Sequence, residues 1–115
     1  KHKGVAGALT DGPVRDTTRM QALGFKVFGV QTSPLDTNSR YEVVEHNVAA
    51  EIDGVTINPG DLIVGDIDGV VIVPKDAIDE VIARVEEKNS GENLFRKAVK
   101  DGMAPSEAFA KYGVL

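Results

Sequence analysis

Residues 5–30 read VAGALTDGPVRDTTRMQALGFKVFGV, and the order of patterns in this stretch decides the class of fold. VAGAL (5–9) is a run of small apolar residues between Gly4 and the turn-forming Thr10–Asp11–Gly12, the pattern of a short buried strand. Asp16 to Leu23 has the marks of a short helix. Asp16 stands at the N-cap position, and Gly24 follows the last turn, where a left-handed residue closes a helix. FKVFGV (25–30) is a second apolar strand. Strand, helix and strand in this order form a βαβ-like unit, so the class is α/β.

Outward from this unit, TSPLDTNSR (32–40) carries the turn chemistry of a loop in Pro34, Asp36, Asn38 and Ser39. Long loops in compact domains are often functional. From Tyr41 the apolar period becomes two, and YEVVEHNVAAEI (41–52) reads as a long or bent strand. Asp53–Gly54 is a hairpin signal with DGVTI as the return. NPGD (58–61) is a further turn. LIVGD and GVVIVP are apolar strands joined by Asp66–Ile67–Asp68–Gly69. Beyond Pro74 the pattern turns helical, with Ala77, Ile78, Val81, Ile82 and Val85 on one face. Asp76 is the expected N-cap, and Asn89–Ser90–Gly91 is an expected break or kink. Leu94, Phe95, Ala98 and Val99 resume the spacing up to Gly102. Pro105 opens a last short helix that Gly113 closes. The expectation is one domain, or the C-terminal part of one: residues 1–75 β-rich with a short helix, and 76–115 helical. No internal repeat or linker divides it.

The chain has 115 residues, 42% of them apolar and 5% aromatic, with no Trp. A core built from Val, Ile, Leu and Ala is therefore expected. The net charge is −5, which argues against direct nucleic-acid binding, because phosphate contacts need clustered Lys and Arg. The bases Lys1, Lys3, Arg15, Arg19 and Lys26 face only Asp11 and Asp16 in residues 1–26, whereas residues 76–92 are acidic, as a solvated helix face is. Cys is absent, which excludes disulfides, zinc-thiolate sites and thiol catalysis. The apolar runs are too short to span a bilayer, and no signal-peptide pattern is visible. The expected setting is cytoplasmic, away from membranes. The chain opens on KHKGVAGAL without Met, as a fragment or a processed chain would.

Few residues look chemical. Gly4, Gly7 and Gly12 do not make the glycine pattern of a dinucleotide or methyl-donor site. His2 and His46 are too isolated for a metal cluster. Asp66 and Asp68 lack the rest of a calcium loop and read as turn acids. Arg15–Asp16 remains, with two readings. In the first, Asp16 caps a helix and Arg15 is a surface base. In the second, the pair sits at the C-terminal end of a strand, where open α/β folds collect ligands. Arg15 then grips a carboxylate, and Asp16 offers a hard oxygen to Mg²⁺. A cation beside a carboxylate-binding Arg suits a 2-oxo acid.

GVAGALTDGPVRD, LGFKVF, SPLDTNSRYEV and GVTINPGDLIVGDIDGVVIVP occur in an order that resembles the RraA-like family (regulator of ribonuclease activity A), which includes the 4-hydroxy-4-methyl-2-oxoglutarate aldolases. The resemblance runs over nearly the whole chain. Its most specific pieces are GxxRD, PLDxxxR and PGDLIVGDxDGVVIVP. It implies a three-layer swivelling β/β/α fold, phosphohistidine-domain-like, of which this chain is the C-terminal portion. It also implies assembly as a trimer or hexamer with sites at subunit interfaces. The implied activity is a divalent-metal-dependent aldolase or decarboxylase acting on 2-oxo acids, of the 4-hydroxy-4-methyl-2-oxoglutarate or oxaloacetate type. In that picture Arg15 is the catalytic, substrate-binding arginine, and Asp16 holds Mg²⁺ or Mn²⁺. The resemblance leaves two alternatives: a non-catalytic regulator that binds a ribonuclease partner, and an inactive fragment. Family members carry a glycine-led substrate segment about twenty residues ahead of the arginine, a position before Lys1 here. Lys26 stands where many relatives have Pro.

Overall fold

The computed structural model describes residues 3–113. His2, read above as too isolated for a metal cluster, and Lys1 lie outside the described residues. The chain divides between Pro74 and Lys75 into two compact units, and the whole is mixed α/β.

The first unit begins with the βαβ arrangement. Strand β1 (Gly7–Leu9) is followed by β2 (Pro13–Val14), helix α1 (Thr17–Ala22), β3 (Lys26–Phe28) and β4 (Gln31–Thr32). β1 pairs with β3 in parallel, with Ala8 opposite Val27. β2 pairs with β4 in parallel, with Val14 opposite Thr32. The strands expected at 5–9 and 25–30 are thus each shortened to three residues, and a second ladder is added beyond a bend. The bends fall at Asp11–Gly12 and Gly29–Val30. They can lie against each other because Gly29 has no side chain: a Cβ there would come within 2.6 Å of Val14 Cγ2.

Helix α1 ends as Gly24 predicts. Gly24 has φ +62°. Its N–H donates to the Gln21 carbonyl at 2.9 Å, and Phe25 N–H reaches back to Met20 at 3.0 Å. This double closure satisfies carbonyls that the helix leaves without partners.

A short antiparallel hairpin follows, β5 (Ala50–Ile52) with β6 (Val55–Ile57). Asp53 and Gly54 both have positive φ, 50° and 75°, as a two-residue turn with the strands' own twist requires. The long strand expected over 41–52 is not formed. Pairing stops where Ala50 meets Ile57, because β6 runs out at Asn58–Pro59, where Pro has no N–H to donate. Residues 41–49 then have no partner strand, and all are exposed. The unit closes with the hairpin β7 (Leu62–Gly65) and β8 (Val70–Val73). In its loop Asp66 N–H donates to the Gly69 carbonyl at 2.9 Å, and Asp66 Oδ1 accepts from Asp68 N–H at 2.9 Å. Asp66 therefore acts as a turn acid.

In the second unit, a 3₁₀ turn (Lys75–Ala77) runs into helix α2 (Ile78–Lys100), and α3 (Pro105–Tyr112) follows. Two expectations are corrected. Asp76 lies within the 3₁₀ turn, and Ala77 occupies the N-cap position without a side-chain cap. The break at Asn89–Ser90–Gly91 does not occur. Ser90 Oγ donates to the Glu86 carbonyl at 2.8 Å. Glu92 lies 3.8 Å from Lys88 and 3.6 Å from Arg96. The Lys88–Glu92 pair spans Gly91 and the other two contacts flank it, and the glycine's propensity cost of about 1 kcal/mol is small over a helix of this length. α2 closes at Gly102, φ +100°, with Met103 N–H bonded to the Ala98 carbonyl at 3.0 Å.

Among the described residues, Val73 and Ala108 are the buried apolar side chains. The outer face of the β7–β8 hairpin leaves Val64 and Val71 opposite each other and exposed. No described helix is long and apolar enough to cross a membrane.

Candidate functional site

The β2–β4 ladder brings the C-terminal ends of two parallel strands side by side. Arg15–Asp16 leaves β2, and Ser33–Pro34–Leu35–Asp36 leaves β4. Ser33 N–H donates to the Val14 carbonyl at 3.0 Å, which carries the pairing one step past the strands. An open cleft of about 380 Å³ lies between Arg15–Asp16–Thr17 and Thr32–Ser33–Pro34. Two hollows of similar size, one of which shares Val14, Thr17 and Thr32 with the cleft, are lined mainly by apolar atoms.

Asp16 is where the helix reading placed it, at the N-cap of α1, but it does not cap. Its backbone is left-handed, φ 57° and ψ 28°, and its side chain makes no cap hydrogen bond. A capping residue is normally extended, which aims its side-chain oxygen at the first free N–H groups. The left-handed turn removes that aim, and Asp is among the residues that tolerate it. The backbone carbonyl of Asp16 still accepts from Met20 N–H at 3.0 Å. The carboxylate is left two-thirds exposed, with Oδ2 3.5 Å from Arg15 Nε.

Arg15 lies between two carboxylates. Its Nη1 donates to Asp36 Oδ2 at 2.8 Å. Asp36 is itself fixed, since its Oδ1 accepts from Asn38 N–H at 2.9 Å. The Asn38 N–H and the Arg15 guanidinium together hold the Asp36 carboxyl below its ordinary value of 3.8. Neither ion pair uses Nη2 of Arg15. Asp36 was legible in the sequence only as a turn residue. The signal for more was its place in PLDxxxR, the motif following the second strand of the unit.

The donor set can be tested against a divalent cation. No group of three His, Asp or Glu among the described residues could enclose one, so His46 has no cluster to join. Mg²⁺, however, usually keeps several waters and binds proteins through one or two carboxylates. The exposed Asp16 carboxylate fits that mode. Arg15, Asp16 and Asp36 carry formal charges that sum to −1, which does not repel a cation.

Three comparisons bear on the chain. The RraA-like family model, described as Aldolase/RraA, matches residues 1–72. An uncharacterized protein of Methanocaldococcus jannaschii is 37% identical over 102 residues, covering 89% of this chain and 49% of its own length. A protein of Halalkalibacterium halodurans named "Putative 4-hydroxy-4-methyl-2-oxoglutarate aldolase" is 33% identical over 109 residues, covering 95% of this chain and 51% of its own. The crystal structure of an uncharacterized protein from Pseudomonas syringae pv. tomato superposes with a TM-score of 0.86 at 29% identity, over 95% of this chain and 51% of that one. The chain spans about half the length of these relatives.

Proposed function

The chain belongs to the RraA-like family, and on that premise we propose that it contributes to a divalent-metal-dependent lyase acting on small 2-oxo acids. The reaction is aldol cleavage of a 4-hydroxy-2-oxo acid or decarboxylation of oxaloacetate. The observation that carries this reading is the Arg15–Asp16 pair at the mouth of a cleft, with Asp16 released from capping. Its carboxylate is left for another task.

Arg15 binds the substrate carboxylate and the neighbouring keto oxygen through its free N–H donors, a grip that a planar guanidinium makes with two prongs. Asp16 would hold Mg²⁺ or Mn²⁺ through its exposed carboxylate. When bound, the cation draws electron density from the keto group and stabilises the negative charge that gathers on its oxygen. In aldol cleavage the C3–C4 bond breaks. The 4-hydroxyl gives up its proton to water and becomes the carbonyl of one product, and the pyruvate half takes a proton back from water at C3 to complete the balance. The bond's electron pair moves into the pyruvate half, towards the oxygen that Arg15 addresses. The name of the Halalkalibacterium halodurans relative supports the aldolase assignment. The exposed Val64 and Val71 of the β7–β8 hairpin support association with further polypeptide, which we assign as a trimer or hexamer of subunits with a three-layer swivelling β/β/α fold.

The test is pyruvate release from oxaloacetate and from a 4-hydroxy-2-oxo acid, with and without Mg²⁺, using the protein in its native assembly. Turnover that needs Mg²⁺ and is lost in Asp16→Ala is the expected result. Turnover indifferent to the metal or to Asp16 overturns the proposal.

A further inference from the structure

We infer that Asp36 is a positioning residue for Arg15: it holds the guanidinium in the orientation that receives the substrate carboxylate. The inference rests on the function proposed above and extends it to a residue outside the Arg15–Asp16 pair.

An exposed arginine is a flexible side chain, and ordering it on binding weakens affinity. Here Arg15 is about half exposed, yet it is held at two places, Nη1 by Asp36 and Nε by Asp16. Asp36 can serve as a fixed anchor because its other oxygen is taken by Asn38 N–H. Its loop begins at Ser33, which is bonded to Val14, the residue before Arg15. Anchor and anchored residue therefore hang from one ladder. The guanidinium is left with Nη2 and the remaining donors facing no carboxylate of the pair.

With both acids ionised, the three side chains carry a formal charge of −1, and a 2-oxo acid anion meets net repulsion. A divalent cation raises the sum to +1, and the anion is then attracted. Without Asp36, the sum would rise by one both before and after the cation arrives, so charge alone would tighten acid binding. A loss of affinity on removing Asp36 is therefore the mark of lost positioning. An exposed ion pair adds little to stability, so the value of this one is sought in binding.

Asp36→Asn separates this role from folding. Asn keeps the oxygen that accepts from Asn38 N–H, but replaces Oδ2 with an amide nitrogen that cannot accept from Arg15. The experiment titrates pyruvate into the protein in its native assembly and into its Asp36→Asn and Asp36→Glu variants, with and without saturating Mg²⁺. It follows the Arg15 Nε–H resonance and backbone amide shifts by NMR, with thermal midpoints as a folding control. Wild-type protein is expected to bind pyruvate only with Mg²⁺. Asp36→Asn should keep its thermal midpoint and lose affinity for pyruvate with Mg²⁺ by about tenfold. Asp36→Glu should recover part of the loss. Equal or tighter pyruvate binding by Asp36→Asn with Mg²⁺ overturns the inference, because Asp36 would then only compete with substrate for Arg15. Wild-type protein that fails to bind pyruvate with Mg²⁺ overturns the proposed function itself, and the role of Asp36 with it.

Discussion

Arg15 Nη1 donates to Asp36 Oδ2 at 2.8 Å across 21 residues of chain. The bond joins the two segments that leave the C-terminal ends of a parallel strand pair. In parallel β/α units this end is where ligands gather, and here both segments bring charged side chains to it.

Titration of Asp36 should show the pair directly. Its pKa lies below the ordinary 3.8, through the Asn38 N–H first and Arg15 second. A carboxyl whose folded pKa is depressed contributes stability that is fully present above its unfolded pKa. That contribution is lost as pH falls through the folded value. Nothing attributable to Asp36 should therefore change between neutral pH and about 4, and the pair should dissolve below 3.8. A carboxyl-detected NMR titration checks the midpoint, and Arg15→Gln should move it upward.

Asp16→Gly distinguishes a helix cap from a released carboxylate. Gly adopts the left-handed conformation found at Asp16 without steric cost. The thermal midpoint should stay level or rise, by no more than about 1 kcal/mol of stability, while Mg²⁺-dependent pyruvate release disappears. A clear loss of stability would show that Asp16 supports the helix through its side chain after all.

Arg15→Lys keeps the charge and removes the planar fork. We expect kcat/KM for oxaloacetate to fall by at least about tenfold, or ~1.4 kcal/mol of transition-state stabilisation, with the fold unchanged by circular dichroism. Unchanged kinetics would mean that a point charge suffices and that no two-pronged grip is made.

Gly29→Ala tests the bend that sets the cleft. The added methyl would meet Val14 Cγ2 at 2.6 Å, and Val14 precedes Arg15 in the chain. A loss of about 1–3 kcal/mol is expected from overpacking, read by urea denaturation, together with a shift of the Arg15 Nε–H resonance. Gly65→Ala should show a similar loss, because its methyl would lie 2.6 Å from the Phe28 ring. It should leave the Arg15 signal in place.

Local chemistry was enough to read much of the fold. Gly24 and Gly102 close their helices because glycine takes positive φ without cost. Asp53–Gly54 turns its hairpin for the same reason, and the alternation of apolar runs marks β1, β3, β7 and β8. Pro105 and Gly113 bound the last helix as their backbone preferences require. Arg15 and Asp16 stood out as a candidate pair from residue type, spacing and family resemblance. Other features depended on partners that no local pattern contains. The strand expected over 41–49 lacked a ladder to join. The break expected at Gly91 was overridden by (i, i+4) contacts along α2. The left-handed turn that frees Asp16 from capping, and the approach of Asp36 to Arg15, were settled only when β2 and β4 paired. That pairing sets two loops distant in sequence within hydrogen-bond reach, and such proximity belongs to the folded chain alone.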